Sequence, residues 1–215
     1  MEDTHPSPHI NVNHVKARRH LARRDPVLKR LIAAVGPCTL RHDPDGFAEL
    51  VRSIISQQIS TRAAASIHAR LLQALGRRGL RPAALLALSD DELRGAGLSG
   101  SKARSLRDLA EKVHGGTVPL KRLPELTDEE VIASLLPVRG IGRWTAQMFL
   151  IFSLGRPDVL PVDDLGLRAG VQQAYGMAEL PDRAGLTELA EPWRPYRSVA
   201  TWYFWRSRGF VPQSE

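Results

Sequence analysis

The chain has 215 residues, 43% of them hydrophobic, which is enough to bury a core in one or two compact domains. The longest uninterrupted apolar run, Ala83 to Leu88, has six residues, far short of the roughly 20 that a membrane span needs. Residues 1–8 are polar and acidic with no apolar stretch behind them, so we expect no secretory signal peptide and a cytoplasmic location. These features exclude disordered, fibrous and membrane-spanning proteins.

The charge balance favours a polyanionic partner. Lys and Arg number 30 against 23 Asp and Glu, which gives a net charge of +7 and a pI near 10.2. Only five of the basic residues are Lys, and a bias to Arg reflects codon usage as readily as phosphate binding. Charge alone therefore does not decide the partner.

Metal chemistry has little support in the sequence. A single cysteine, Cys38, excludes an internal disulfide, a Cys-based zinc site and a Cys-ligated iron–sulfur cluster. The histidines offer one pair at the i, i+4 spacing of a helical metal site, His5 and His9, but Pro6 and Pro8 interrupt it. We therefore expect that no metal cofactor is required.

The first residues predict an arm that is followed by helices. Residues 1–24 are rich in His, Pro, Asn and Arg without a sustained apolar stripe, which predicts a flexible basic arm ahead of a helical domain over residues 25–215. Asp25-Pro26 has the acidic cap and first-position Pro of a helix start, and that helix is expected to end at Gly36. A second helix is predicted where apolar residues recur every three or four positions: Phe47, Leu50, Val51, Ile54 and Ile55.

Further helices are predicted up to the C-terminal region. Ser60 or Thr61 caps an Ala-rich helix that ends at Gly76, and capping boxes begin at Ser89 and Thr127. Residues 142–154 are apolar nearly all round, which predicts a buried helix. The remaining helices are predicted over residues 101–114, 163–175, 183–190 and 195–207. The sequence therefore predicts an all-α fold with its helices packed in two lobes.

The most informative segment is Leu136-Pro-Val-Arg-Gly-Ile-Gly-Arg-Trp-Thr-Ala146. Gly140 and Gly142 form a Gly-x-Gly turn before the buried helix, where backbone amides and the positive end of the helix dipole make an anion site. In isolation the pattern more often marks a plain helix connection in which Gly supplies a positive φ. Between two helices of a basic all-α protein, it resembles a helix-hairpin-helix element, which binds a DNA phosphate without reading sequence.

Two adjacent carboxylates follow in the run Val159-Leu-Pro-Val-Asp-Asp-Leu-Gly-Leu-Arg168. Asp163 is predicted as a helix N-cap, so that Asp164 would point from the first turn of the helix. Both residues could serve as caps alone. A catalytic role requires that one carboxylate lies near a cleft.

Together, the two segments resemble the helix-hairpin-helix/Gly-Pro-Asp superfamily of DNA glycosylases, and within it the bacterial 3-methyladenine DNA glycosylase II group. The resemblance extends from about residue 25 to the C-terminus, through Ile54-Ile-Ser-Gln-Gln-Ile-Ser60 and Trp193-Arg-Pro-Tyr-Arg-Ser198. It implies a two-lobed helical fold with a cleft between the lobes. It also implies a monomeric base excision repair enzyme that acts on damaged bases in duplex DNA. Such an enzyme is expected in the cytoplasm and at the nucleoid, with no membrane as a partner.

The resemblance implies roles for individual positions. Asp164 matches the catalytic aspartate of the family, and Asp163 is expected to be structural. Trp144 stands where bifunctional members keep a Schiff-base lysine, and no lysine follows Lys121, which implies a monofunctional enzyme that uses water. The expected base pocket consists of Trp144, Met148 and Trp205. The expected DNA contacts are Gln58, Gly140, Gly142, Arg143 and Thr145.

Two of these expectations concern the hairpin and the gap that an extruded base leaves. Gln58 matches the residue that fills this gap, although a smaller apolar side chain is common there. A monovalent cation, Na⁺ or K⁺, is expected on the backbone carbonyls of Leu136, Val138 and Gly140. The hairpin departs from the usual Leu-Pro-Gly-x-Gly of the family by carrying Arg139 before Gly140.

The implied reaction is hydrolysis of the N-glycosidic bond of an alkylated purine, such as 3-methyladenine or 7-methylguanine. Such a base carries positive charge, which an indole face attracts by about 0.5 to 2 kcal/mol. Rotating it out of the duplex costs a few kcal/mol, and less for a damaged pair. Two alternatives stay open at this level: a non-catalytic helix-hairpin-helix DNA-binding protein, and a glycosylase for a deaminated or oxidised base.

Overall fold

A computed structural model describes residues 14–209, which form α-helices joined by short connections. The α-helices are α1 His14–Arg24, α2 Pro26–Val35, α3 Gly46–Ser56, α4 Thr61–Leu75, α5 Pro82–Leu86, α6 Asp90–Gly95, α7 Gly100–His114, α8 Asp128–Leu135, α9 Arg143–Phe152, α10 Leu165–Tyr175, α11 Arg183–Leu189 and α12 Arg197–Ser207. Single 3₁₀ turns lie at Gly76–Arg78, Leu123–Glu125 and Glu191–Trp193. No strand occurs between residues 14 and 209, so the predicted all-α class is confirmed.

The helices group into two compact units, in agreement with the two predicted lobes. The first unit takes the described residues up to His42 and those from Leu150 onward, and the second takes Asp43–Phe149. In the described range, every helix is too short or too polar to cross a membrane.

Local sequence signals set several helix ends. Asp25 caps α2 by accepting hydrogen bonds from the amides of Val27 and Leu28, with Pro26 in the first position. The two predicted capping boxes also form: Ser89 pairs with Glu92 at α6, and Thr127 with Glu130 at α8.

The core of the second unit is built around α3. Its predicted apolar face, from Phe47 to Ile55, is buried. Helix α3 packs against α4 and α7, and α5 packs against α7. Helix α5 is absent from the sequence prediction, because a run as short as Pro82–Leu86 is too brief to display a helical period.

The core of the first unit is built around α12, which packs against α1, α2 and α10. Its aromatic side chains are almost completely buried: Trp202, Tyr203, Phe204 and Trp205. Aromatic side chains bury about 150 to 250 Å² each and so dominate the energetics of a core. Tyr203 and Phe204 are fully buried and therefore belong to this core.

Gly170 allows α10 to approach α12 closely, because a Cβ there would lie 2.8 Å from the backbone oxygen of Phe204. We expect Gly170→Ala to lower the free energy of unfolding by about 1 to 3 kcal/mol, since overpacking outweighs the gain in helix propensity. Urea unfolding measures this change. Gly95→Ala in α6 is the matched control, because its Cβ meets nothing within 4 Å and should not destabilise. Equal stability of Gly170→Ala and the wild-type protein would contradict the close approach.

The N-terminal segment differs from the prediction. Residues His14–Arg24 form α1, which packs on α2, and its Ala17 and Leu21 are fully buried. The predicted flexible arm over residues 1–24 is therefore wrong for this part, and residues 1–13 lie outside the described range. These two apolar residues, one turn apart, hold this helix against its neighbours. Among so many basic residues, they form too narrow a stripe to be recognised from sequence.

Candidate functional site

Asp164 is a buried carboxylate at the start of α10. It is the N-cap of that helix and is 5% exposed. Its Oδ1 accepts hydrogen bonds from the amide of Leu167 at 2.6 Å and from the indole Nε1 of Trp205 at 2.8 Å. These two donors fix the orientation of the carboxyl group, and the positive end of α10 stabilises a negative charge on it.

The neighbouring Asp163 does not take the predicted N-cap position. The amide of Asp164 donates to the carbonyl of Pro161 at 2.9 Å, and this turn places the first helical residue at Leu165. Asp163 instead forms an ion pair with Arg183 at 2.5 Å on the surface. The prediction is wrong by one residue because either of two adjacent aspartates suits a cap equally well. The cap is therefore the residue for which the resemblance implies catalysis.

Trp205 supports this carboxyl group instead of lining an open pocket. It is fully buried, and its ring stacks on Phe152 with centroids 5.9 Å apart and an interplanar angle of 15°. With no exposed ring surface, it cannot contact a base in this conformation, contrary to expectation. Gly166 makes room for it, since a Cβ there would lie 3.3 Å from Trp205 Cδ1. Trp205 thus positions Asp164.

The connection between α8 and α9 is a tight hairpin. Gly140 has a φ of +79°, and a Cβ there would lie 2.8 Å from Ser105 Oγ, so both conformation and packing require glycine. Gly142 is under no such constraint, because a Cβ there would meet nothing within 4 Å. The absence of a side chain at Gly142 therefore leaves backbone accessible from outside the chain.

The hairpin leads directly into the N-terminus of α9. The carbonyl of Gly142 accepts a hydrogen bond from Ala146 at 3.0 Å, which begins the helical pattern. Thr145 is 4% exposed, so its side chain is not available for the predicted contact with DNA. Arg143 is exposed and pairs with Glu129 at 2.6 Å, a surface ion pair of little energetic value that an incoming phosphate can replace.

Two of the expected pocket residues, Trp144 and Met148, lie one turn apart on α9. Trp144 is 37% exposed, whereas Met148 is fully buried and presents no surface to a base, contrary to expectation. Helix α9 is apolar on nearly every side, so residue spacing does not reveal which side faces outward. Of the three expected pocket residues, Trp144 is the one with exposed surface.

Gln58 lies in the turn that follows α3. Its φ of +59° is the one positive φ of a residue other than glycine between residues 14 and 209. Such a backbone conformation costs about 1 to 3 kcal/mol, and residues under this strain cluster at functional sites. Gln58 is exposed, and so is the apolar side chain of Ile59 beside it, which the sequence analysis misses because one apolar residue in a turn forms no pattern.

The expected cation ligands are backbone carbonyls of the hairpin. The carbonyl of Val138 accepts the amide of Ile141 at 3.0 Å, and that of Gly140 accepts Gln57 Nε2 at 2.9 Å. Each oxygen has a second lone pair, so these bonds are compatible with a cation, and the ligand set with Leu136 stays a prediction. Side chains offer no alternative between residues 14 and 209, where no cluster of three or more His, Cys, Asp or Glu could hold a metal ion.

Known proteins share this sequence pattern. Residues 51–195 match the family described as HhH-GPD superfamily base excision DNA repair protein. The DNA-3-methyladenine glycosylase 1 of Schizosaccharomyces pombe is 35% identical over 198 residues, which cover 89% of this chain and 86% of that protein. The resemblance recognised in the hairpin and the aspartate pair is therefore confirmed.

Two solved structures are similar over nearly the whole chain. The 3-methyladenine DNA glycosylase of Schizosaccharomyces pombe in complex with abasic DNA has a TM-score of 0.80 and 32% identity, covering 93% of this chain and 100% of that chain. The DNA-3-methyladenine glycosidase of Bacillus halodurans has a TM-score of 0.81 and 37% identity, covering 93% of this chain and 90% of that chain. This chain belongs to the helix-hairpin-helix/Gly-Pro-Asp (HhH-GPD) superfamily of base excision DNA repair proteins.

Proposed function

We propose that this protein is a monofunctional DNA glycosylase that removes alkylated purines of the 3-methyladenine and 7-methylguanine class from duplex DNA in base excision repair. The observation that carries the proposal is Asp164, a buried carboxyl group oriented by two hydrogen-bond donors at a helix N-terminus. Relatives named DNA-3-methyladenine glycosylases support the substrate class. A protein that only docked on DNA would not require an oriented, buried carboxyl group.

The proposed mechanism follows from the charge that develops on the sugar. As the bond between C1′ and the base nitrogen breaks, its electron pair leaves with the base and the sugar becomes oxocarbenium-like. The carboxylate of Asp164 stabilises this cation and orients a water molecule, whose oxygen bonds to C1′ while a proton passes to solvent. The products are abasic DNA and the free base. A positively charged alkylated purine is a good leaving group, so the main task of the protein is to expose it.

Water, rather than an amine, is the proposed nucleophile. Trp144 occupies the hairpin position at which bifunctional relatives keep a Schiff-base lysine, and no lysine follows Lys121 in the sequence. The exposed part of Trp144 can attract a cationic base by about 0.5 to 2 kcal/mol. We therefore expect base release to leave the abasic strand unbroken, which gel electrophoresis without alkali treatment measures.

The proposed DNA contacts are the hairpin and Gln58. The amides of Arg143 and Thr145 would bind a phosphate at the N-terminus of α9, a contact that positions the protein without reading sequence. Gln58 would occupy the gap left by the extruded base, where its turn conformation favours a functional role. The net charge of +7 adds a weak, non-specific attraction to duplex DNA.

The proposed chemistry requires no cofactor. A Na⁺ or K⁺ ion on the carbonyls of Leu136, Val138 and Gly140 would supply positive charge beside the bound phosphate. We also propose that the protein acts as a monomer, because every proposed site residue belongs to this one chain. We further propose that it acts in the cytoplasm and is associated with the nucleoid while bound to DNA.

Gly142→Ala tests phosphate docking by the hairpin. We expect about tenfold weaker binding to duplex DNA at an unchanged melting temperature, because the new Cβ projects from the backbone that a phosphate would approach. Fluorescence anisotropy measures the Kd, and Gly95→Ala, whose new Cβ likewise meets nothing within 4 Å, is the control. An unchanged Kd for Gly142→Ala would argue against this docking site.

Trp205→Phe tests the hydrogen bond to Asp164. Phenylalanine can keep the ring contact with Phe152 but lacks the N–H donor, and hydrogen bonds to charged groups are worth about 1.5 to 3 kcal/mol. We expect single-turnover base release to slow by about tenfold or more, with little change in DNA affinity. Trp202→Phe, a buried change on the same helix, is the control for altered packing. Equal rates for the two variants would show that the indole N–H does not matter.

The experiment that tests the function is base release from duplexes that each contain one methylated purine, deaminated base or oxidised purine. We expect release of the methylated purines. Release confined to deaminated or oxidised bases would keep the chemistry but overturn the substrate class. DNA binding without release of any base would instead favour a non-catalytic helix-hairpin-helix protein.

A further inference from the structure

One face of α7 contacts both the C-terminal end of α3, which leads into the Gln58 turn, and the hairpin between α8 and α9. Lys102, Ser105 and Asp108 follow one another at three-residue spacing, which places them along one side of the helix. At one end, Lys102 Nζ donates a hydrogen bond to the carbonyl of Ile55 in the last turn of α3, at 2.5 Å. At the other end, Asp108 Oδ2 accepts the amide of Arg139 in the hairpin at 2.6 Å.

Gln57 joins the same two segments directly. Its Nε2 donates to the carbonyl of Gly140 at 2.9 Å, and Ser105 Oγ fills the space beside Gly140. Gln57 immediately precedes Gln58, whose φ is +59°. The strained turn is therefore held through α3 by Lys102 and through the hairpin by Gln57.

The charged side chains of Lys102 and Asp108 complement the backbone carbonyl and amide that they contact. Burial acts to raise the pKa of Asp108, but the Arg139 amide and the Lys112 ammonium outweigh it, so that this pKa lies below its usual range. The Lys102 ammonium lies at the negative end of α3, although burial lowers its pKa. Both contacts are charge-assisted hydrogen bonds, which are stronger than neutral ones.

We propose that Gln57, Lys102 and Asp108 are positioning residues for base extrusion. They hold the Gln58 turn at a fixed distance from the hairpin, so that a phosphate on the hairpin places the Gln58 side chain at the base to be replaced. This inference rests on the proposed function, in which both segments contact DNA. Displacements of about 1 Å at such sites are costly, so loss of one contact should impair extrusion while leaving phosphate docking intact.

The test compares a lesion that is costly to extrude with one that is cheap to extrude. The two duplexes carry 7-methylguanine opposite cytosine or opposite a mismatched thymine, because a mismatch lowers the cost of unpairing. In Gln57→Leu and Lys102→Met, single-turnover release of the paired lesion should fall about tenfold. Release of the mismatched lesion should fall far less, and the Kd for undamaged duplex should stay within about twofold of wild type.

Matched variants separate positioning from folding. Gln73→Leu and Lys121→Met make the same side-chain changes at exposed positions of the second unit and should behave as wild type. Lys102→Arg keeps a cationic donor and should recover most of the rate lost in Lys102→Met. Equal losses on paired and mismatched lesions, or no recovery in Lys102→Arg, would overturn the inference and leave the proposed function standing.

A fluorescence measurement tests the inference independently of catalysis. 2-Aminopurine placed next to 7-methylguanine brightens when its neighbour unstacks, and binding of the wild-type protein should raise this signal before base release. Gln57→Leu should show a clearly smaller rise at saturating protein, whereas an undiminished rise would overturn the inference. If the wild-type protein released no base from any duplex, the proposed function would fail, and this signal would still decide whether Gln57 assists extrusion.

Discussion

Asp164→Asn should lower the single-turnover rate of base release from methylated duplex DNA by about 10²- to 10³-fold, while salt-sensitive DNA binding stays intact. Asparagine has the shape of the carboxylate, and its oxygen can still accept the amide of Leu167 and the indole of Trp205. The negative charge that stabilises the oxocarbenium-like sugar is lost. Base release with protein in excess measures the rate, and Kd values at two salt concentrations measure binding.

Asp163→Asn is the matched control for this experiment. Asp163 is adjacent in the chain but belongs to a surface ion pair with Arg183, and such pairs contribute about 1 kcal/mol at most. We expect a near-normal rate and melting temperature. Full activity of Asp164→Asn, or loss of turnover in Asp163→Asn at an unchanged melting temperature, would show that the roles within the pair are wrongly assigned.

Asp25→Ala should destabilise the first unit by about 3 to 7 kcal/mol. The buried carboxyl group accepts the amides of Val27 and Leu28 at 2.8 and 3.1 Å. It also accepts Trp193 Nε1 at 2.7 Å and the hydroxyl of Tyr175. Alanine removes the N-cap, worth about 1 kcal/mol, and strips two side-chain donors of an acceptor at about 1 to 3 kcal/mol each. Because proteins are stable by only about 5 to 15 kcal/mol, such a loss endangers folding.

Asp182→Ala distinguishes the stability contributed by an N-cap from that contributed by the buried hydrogen bonds of Asp25. Asp182 caps α11 by accepting the amide of Gly185 at 2.7 Å but is exposed, so its removal should cost about 1 kcal/mol. The difference between the two variants in urea unfolding gives the contribution of the bonds to Trp193 and Tyr175. Equal losses of stability would mean that these bonds contribute nothing.

The sequence predicts interactions between nearby residues better than interactions between residues that are distant in the chain. A helix cap joins residues three or four positions apart, and the caps at Asp25, Ser89 and Thr127 lie where the sequence predicts them. Helix α1 is held by contacts of Ala17 and Leu21 with other helices. A local sequence pattern carries no information about such contacts, so the sequence predicts a flexible arm where α1 lies.

The same distinction applies to the site. Asp164 and the glycines of the hairpin are recognisable because each lies within a short, continuous motif. The role of Trp205 depends on a bond between residues 41 positions apart, and the role of Gln57 on one between residues 83 positions apart. Neither Gln57 nor Asp108 has a sequence signal that distinguishes it, apart from the position of Gln57 beside Gln58.

By itself, the sequence determined that the described chain is helical, that a glycine hairpin precedes an aspartate pair, and that no lysine follows Lys121. Each of these features resides in neighbouring residues or in composition. Only the tertiary structure decided which aspartate is the buried cap, that Trp144 is exposed while Trp205 is buried, and that α7 contacts both the end of α3 and the hairpin. These outcomes depend on which distant segments pack against each other, and a linear pattern carries no information about that packing.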